Sequence, residues 1–396
     1  MRRVAISLLA GLSLAVLALV AAGSAPAGPD AGNSPSTLHP AQRDAFVAGD
    51  CNRCHHVPQV ADATRVDSCQ GCHVWIKDVS NNPAKREKAL AVFPLWERYE
   101  KNVASYMEVP SLDAAMARLE PEWVEAYLKD PHDLRPNLPE TMPRFALDDA
   151  QVDAIVAAFA ARRVDVPATP APSADNLSRG EQLFSQRGCV ACHTFGARHT
   201  VAALPMAPDL AHTRDRMHPD RVAAWIRDPK ALSSEATMPS LALPDDELLA
   251  LRDYVLLADP KARPAEPFAS AVAPTADPVT WADVEERVFG KICVHCHMDP
   301  AQNQGRAGPG NAGGFGYAAT GIELQTYEGV KAVADKIPGA LARRTAEAHR
   351  DVVTPGHTPA TLERPEKPGM PLGLPPLSAE DTALVLGWIE QGMPRE

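Results

Sequence analysis

Large flat side chains are scarce in this sequence. Phe, Trp and Tyr make up only 5% of a chain that is 45% hydrophobic. A core of this size built from protein alone is short of its bulkiest apolar filling. Basic charge is also in deficit, with 39 Lys and Arg against 50 Asp and Glu and a formal net charge of −11. Phosphate contacts need a basic surface, so this balance excludes a nucleic-acid-binding role. Eight cysteines in 396 residues are too few for a disulfide-dense scaffold. Proline and glycine, 38 and 24 residues, give a loop-rich chain that stays below the level of disorder. The length accommodates two or three domains.

Only the N-terminus carries a long apolar run. Arg2 and Arg3 precede the stretch from Val4 to Ala22, which leads into small residues with Ala25-Pro26-Ala27 as a cleavage option. Residues 1–27 read as a secretory signal peptide. The run is also just long enough to span a bilayer, so an uncleaved anchor is the competing reading, and membrane contact follows only in that case. No cysteine lies near the cleavage region, which excludes a lipid anchor, and the arginine pair alone fits twin-arginine export poorly. The expectation is Sec-type export to the periplasm.

Every cysteine falls in one of four copies of C-x-x-C-H. The first is Cys51, Cys54 and His55, and the second is Cys69, Cys72 and His73. The third is Cys189, Cys192 and His193, and the fourth is Cys293, Cys296 and His297. The pattern is the attachment signature of c-type haem. Two thiols three apart on a helical turn reach the two vinyl groups of one macrocycle, and the adjacent histidine supplies its imidazole to iron. Three other chemistries use cysteine pairs. A thioredoxin-like pair needs a βαβ pattern, which is not visible. Structural zinc has a foothold in the 14 residues between Cys54 and Cys69, close to the spacing of a zinc ribbon. Plain disulfides suit an exported chain. None of the three explains a histidine after the second cysteine in all four copies. Four haem c groups, covalently attached, also resolve the aromatic deficit.

On these motifs the chain resembles the multihaem c-type cytochromes, with modules similar to the class I family. The resemblance implies an all-α fold of three tandem class I cytochrome c-like helical modules wrapped around haem. Two Pro/Ala-rich runs, Val164–Asn176 and Pro260–Pro278, read as semi-extended linkers. They divide the mature chain into a dihaem module at 38–163 and monohaem modules at 177–259 and 279–396. The segments repeat in the order Pro-x-Leu, a helix ending in Asp-Pro, Thr-Met-Pro, and a closing helix. Val152, Ile155, Val156 and Phe159 fall at helical spacing. Ser378 and Asp381 predict a capping-box start for the last helix.

Met142, Met238 and Met370 each stand before a proline ahead of a closing helix. In class I cytochromes the distal methionine arrives on such a loop, so the resemblance assigns Met238 to the His193 haem and Met370 to the His297 haem. Pro110, Pro208 and Pro309 match the family's proline whose carbonyl accepts the proximal ring N–H. Phe46 and Phe184 each lie five residues before a first cysteine, and Thr64 takes that place before Cys69. Met142 therefore pairs with His55, with the His73 pairing as the open alternative. For the sixth ligand of the His73 haem the candidates are His56, Met107 and His132, and an exposed spectator role is the competing reading of His56. Trp123, Trp225 and Trp388 are expected to pack against haem or core.

The function expected is a periplasmic electron carrier joining donor and acceptor proteins, with an acidic surface docking on basic patches. A haem enzyme of peroxidase type needs an open sixth position, and the His73 haem is the site where that alternative would live. A permanent cytochrome subunit of a larger oxidoreductase complex is the third possibility. The glycine-rich run Gly305–Gly321 lacks Gly-Lys-Ser/Thr and does not read as a phosphate cradle.

Overall fold

Short polar residues set before prolines write many of the helix starts. His39 precedes Pro40, Asn82 precedes Pro83 and Asp228 precedes Pro229, and each side chain accepts a hydrogen bond from the turn it caps. Proline at the first helical position loses nothing, because that N–H has no intrahelical partner. The computed structural model describes residues 37–396 apart from 66, 94–95, 104–108, 136–137, 139–141, 146, 201–203, 205, 235, 262–271, 300–314 and 354–366. The N-terminal run, Met107, Pro309, His357 and most of the glycine-rich run lie outside the described residues.

The helices are α1 (Pro40–Ala48), α2 (Cys69–Ser80), α3 (Pro83–Val92), α4 (Trp96–Asn102), α5 (Leu112–Arg118), α6 (Pro121–Lys129), α7 (Asp149–Ala161), α8 (Leu177–Gln186), α9 (Thr213–Arg216), α10 (Pro219–Arg227), α11 (Pro229–Leu232), α12 (Asp245–Leu257) and α13 (Trp281–Val284). A π-helical turn at Glu285–Phe289 continues α13, and helices follow at Phe315–Thr320, Tyr327–Lys331, Ile337–Val353 and Ala379–Glu390. The structure is 56% helix with no strand among the described residues, in keeping with the all-α expectation. No described helix is long and apolar enough to cross a membrane.

Among the described residues four apolar clusters form, and each takes in a cysteine of a different C-x-x-C-H motif. Phe46, Met116, Trp123, Ile155 and Phe159 pack with Cys51. Phe184, Phe195, Leu251 and Tyr254 pack with Cys189, and Phe289, Val385 and Trp388 with Cys293. A smaller group around Ile76 and Trp96 holds Cys72. The first cluster also contains Met217, Val222 and Leu256, so segments 38–163 and 177–258 share one core. On α7, Val152, Ile155 and Phe159 are buried with Ala158, while Val156 is half-buried at the edge.

The run Val164–Asn176 is free of helix up to a 3₁₀ turn at Ala174–Asn176, and it is strapped down. Thr169 donates its N–H and hydroxyl to Asp220, at 2.8 and 2.5 Å. Arg252 donates to Thr169 Oγ1 and to the Pro170 carbonyl, both at 2.7 Å. Ser378 caps its helix as expected, accepting from Asp381 N–H at 3.0 Å. The Asp381 carboxylate turns instead to Arg287, which donates to it at 2.7 and 3.0 Å.

Candidate haem-attachment sites

Three of the four motifs are built in the same way. A helix carrying a buried phenylalanine ends, a 3₁₀ turn covers the first three residues of C-x-x-C, and the histidine N–H bonds back to the first cysteine's carbonyl. These turns are Cys51–Arg53, Cys189–Ala191 and Cys293–His295. The closing bonds are 2.8 Å at His55, 2.9 Å at His193 and 3.0 Å at His297. The phenylalanines are Phe46, Phe184 and Phe289, all nearly inaccessible to solvent. The second motif differs, because Cys69 and Cys72 lie in the first turn of α2, capped by Ser68, which accepts from Gly71 N–H at 2.9 Å.

The second cysteine of each 3₁₀ motif follows its turn. Cys54, Cys192 and Cys296 each donate a backbone N–H to the carbonyl of the first cysteine, at 3.2, 3.2 and 3.3 Å. Cys192 is half-buried. It stands outside the apolar cluster that takes in Cys189, although the two thiols are near enough for Cys192 to act on Cys189 electrostatically. The expected attachment pair of the third motif is thus brought together, with one thiol against the core and the other at its margin.

Backbone carbonyls hold three of the histidine rings. His55 Nδ1 lies 2.7 Å from the Pro110 carbonyl and His193 Nδ1 lies 2.9 Å from that of Pro208. A carbonyl can only accept, so Nδ1 carries the proton and the lone pair of Nε2 is left for a metal. Burial pushes both imidazoles below the usual histidine value, against the pull of these bonds. Both rings are thus held neutral, the form that ligates iron. At His297 the carbonyl is that of Ile322, at 3.2 Å, where the sequence suggested Pro309. No sequence signal marks Ile322, because every residue type has a carbonyl. Gly316 lies against the other edge of this ring, where an added Cβ would stand 2.5 Å from Cε1 and 2.6 Å from Nε2.

None of the eight cysteines is joined to another in a disulfide. Burial pushes Cys189 and Cys72 up to about 11, and Cys51 and Cys293 to about 12. These four thiols stay protonated, which suits addition to an apolar vinyl group and disfavours thiolate coordination. Among the described residues no group of three or more His, Cys, Asp or Glu could hold a metal ion. The zinc alternative thus finds no ligand cluster there. Residues Cys51–His55 and Cys189–His193 fit a covalently held haem.

The motifs are also close to one another. Cys54 and Cys69 share a side-chain hydrogen bond. Cys296 is within electrostatic reach of Cys69 and Arg53. The Tyr99 and His295 rings meet at 6.3 Å. Arg53 fastens the first two motifs together, its Nε donating to the Asp67 carbonyl at 2.9 Å.

Of the expected sixth ligands, Met142 packs half-buried against the same cluster as Cys51. Met238 and Met370 are half-buried, and Met370 N–H donates to the Ala340 carbonyl at 2.9 Å. His56 is exposed, its Nδ1 3.0 Å from Asp62. His132 sits among Trp123, Tyr127 and His212, with the two histidine rings 5.1 Å apart. Trp123 and Trp388 are buried, and Trp225 is half-buried beneath Arg118.

No curated protein and no solved structure matches the chain. A family model does match. Residues 177–258 fit the family described as Cytochrome c, and that stretch runs from α8, through Cys189, Cys192, His193 and Pro208, to the end of α12. The chain therefore carries a cytochrome c domain over residues 177–258, which suggests an electron-transfer haem protein and implies covalently bound haem c.

Proposed function

We propose that the chain is a periplasmic tetrahaem c-type cytochrome that relays electrons between a donor and an acceptor protein. The observation that carries this reading is the gathering of motifs. Cys54 and Cys69 share a side-chain hydrogen bond, and Cys296 is within electrostatic reach of Cys69. Thiols placed side by side would tether neighbouring macrocycles edge to edge, and electron tunnelling falls off exponentially with edge separation.

Haem c, when bound, supplies the one-electron iron couple. The chain's residues would do the rest. His55, His73, His193 and His297 would be the proximal ligands, with the Pro110, Pro208 and Ile322 carbonyls fixing three of the rings. Met142, Met238 and Met370 would complete three sites, and thioether sulfur raises a haem's potential relative to a second imidazole. His56 would serve the His73 site, with Asp62 holding its Nδ1 so that Nε2 points away to a neighbour. The acidic surface favours partners with basic docking patches.

The test is a haem count by alkaline pyridine spectroscopy on exported protein of measured mass, followed by carbon monoxide addition after dithionite reduction. Four haems per chain and no carbon monoxide spectrum are expected. Fewer than four haems overturns the tetrahaem reading. Carbon monoxide binding by one haem in four overturns the carrier and makes the His73 site an open, enzyme-like centre.

A further inference from the structure

The second motif sits in a stretch that segment 177–258 lacks. Leu210 N–H donates to the Thr194 carbonyl at 3.0 Å, and Leu112 N–H donates to the His56 carbonyl at 2.9 Å. These two bonds close the same loop between C-x-x-C-H and Pro-x-Leu, over 16 positions in one segment and 56 in the other. The excess folds as α2, α3 and α4 around Cys72, Ile76 and Trp96. Its charge runs against that of the chain. Cys69–Asn102 holds six Lys and Arg against four Asp and Glu, where the whole sequence has 39 against 50.

Helix α3 carries this excess outward. Ala89 and Phe93, four residues apart, pack into the cluster that takes in Cys72. Lys85, Lys88 and Val92 fall at i, i+3 and i+7 and form a second stripe, exposed to solvent. Val92 is 66% exposed, and Leu90, on the opposite flank, is 38% exposed. These ten residues thus supply two of the five large apolar side chains that stand exposed among the described residues. Arg86 is held by Glu100, to which it donates at 2.7–3.0 Å. Among the described residues, neither Lys85 nor Lys88 has a carboxylate within ion-pair distance. Lys85 also stands in the first turn of its helix, where the dipole disfavours a cation. Helices α5, α6, α7, α10 and α12 each place Asp or Glu there. Unpaired cations beside an exposed apolar side chain have the make-up of an interface, with an apolar centre and a charged rim.

We infer that the outer face of α3, with Lys85 and Lys88 around Val92, is the docking surface for an acidic redox protein that exchanges electrons with the His73 site. The inference rests on the electron-relay reading above and names one partner of that relay. Charge selects the partner. A basic face on an otherwise acidic chain attracts an acidic surface and orients the encounter, while the remainder of the chain turns that partner away. Position selects the use. One helix is about 10 Å across, and the inner side of α3 packs into the cluster of Cys72. Tyr99, at the edge of that cluster, meets His295 of the fourth motif. An electron arriving at α3 thus enters beside the second motif, and partners with basic patches are left the acidic remainder of the surface. A face this small suits a transient encounter.

The test uses the full haem-loaded chain after a haem count, with a reduced plant-type two-iron ferredoxin as the acidic probe and a strongly basic monohaem cytochrome c as its opposite. Stopped-flow traces at low ionic strength give the second-order rates. Lys85→Glu/Lys88→Glu is expected to slow electron transfer from the ferredoxin about tenfold or more and to flatten its fall with added salt. Val92→Asp should slow it as well. Lys230→Glu/Lys336→Glu, the same charge change on exposed lysines elsewhere, should leave it nearly unchanged, and the basic probe should be slowed by none of these. Should Lys85→Glu/Lys88→Glu lose haem, Lys85→Gln/Lys88→Gln takes its place. Equal slowing by both lysine pairs, or none by the α3 pair, overturns the docking assignment. Another occupant overturns it too: binding to phosphatidylglycerol vesicles, or a dimer in sedimentation velocity, that the α3 pair abolishes. A parent protein with fewer than four haems sinks the tetrahaem reading, whereas four haems with an unmoved ferredoxin rate sink only the docking face.

Discussion

In segment 177–258 the carbonyl beside the proximal ring belongs to Pro208, 15 residues from His193; in segment 279–396 it belongs to Ile322, 25 residues from His297. The second segment enters its 3₁₀ turn through Gly188 at φ +78, while the third enters through Ile292 at φ −119 after a π-helical turn. Its opening helix crosses its closing helix at Gly180, whereas in the third the glycine is on the closing helix, where Gly387 meets Thr275. The family model matches the former and not the latter. Ring, turn and carbonyl recur in both. What is held constant is a geometry that backbone atoms supply, and backbone atoms do not constrain side-chain identity.

The comparison is broken most forcefully at the helix crossings. A Cβ at Gly180 would stand 2.2 Å from the Ala250 carbonyl oxygen and 2.5 Å from Tyr254 Cβ. Neither can swing aside, so Gly180→Val should lower stability by about 3 kcal/mol and release the α8–α12 contact. Gly387→Ala meets Thr275 Cγ2 and its carbonyl at 2.7 Å, on a peripheral arm that can shift, and should lose about 1 kcal/mol. Thermal unfolding measures both. Equal losses would mean that the two crossings are equivalent after all.

The turns come next. Nothing lies within 4 Å of a Cβ added at Gly188, whose φ is +78. Gly188→Ala therefore isolates the left-handed backbone cost, about 1–2 kcal/mol. Asp50 occupies the corresponding place before Cys51 at φ 56, so Asp50→Gly should gain about 0.5–1 kcal/mol in the first segment. Denaturant titration of the two variants should move in opposite directions. A destabilised Asp50→Gly would show that the aspartate does more there than fill a turn.

These positions mark what could be read in the sequence. The four motifs, Phe46, Phe184 and the amphipathic α7 were legible because each depends on side-chain type or period, whereas Phe289, four residues before Cys293 and not five, was not. Pro110 and Pro208 were legible by resemblance. Ile322 was not, since its contribution is a carbonyl common to all residues. Nor could the motif spacing tell that Cys189 sits in a core cluster and Cys192 at its margin, because burial depends on what packs from other helices. The contact of Cys54 with Cys69, and the nearness of Cys296, depend on chain reversal over long separations, which no local pattern reports. The linker Val164–Asn176 was legible as a connection between helical segments and neither as strapped nor as ending in a 3₁₀ turn, because its anchors Asp220, Arg252 and Asp253 come from other helices.

That strap sets the next effect. Hydrogen bonds from Thr169 hold the Asp220 carboxyl below the usual carboxylate range. A depressed folded value means the contribution is present above the unfolded value of about 3.9 and is lost as pH falls through the folded one. Thr169→Val should therefore lose about 1 kcal/mol at neutral pH, and the gap to the parent should close below about pH 4. A gap that persists in acid would assign the loss to Arg252, which also donates to Thr169 Oγ1.

The smallest effect returns to the two segments. Arg187, at the end of α8, donates to Glu247 at 2.7 and 2.8 Å, and Arg287 donates to Asp381 and Glu380 at 2.7–3.0 Å. In each case the end of an opening helix grips the acidic first turn of the closing helix. Both arginines are substantially exposed, 44% and 41%, so solvent screens the pairs and Arg187→Ala and Arg287→Ala should each lose about 0.5 kcal/mol. The losses should vanish together in 1 M salt, where the screening length is about 3 Å. If only Arg287→Ala remained destabilising in salt, its alkyl stem would be packing on the π-helical turn, and the third segment would depend on a buttress that the second does without.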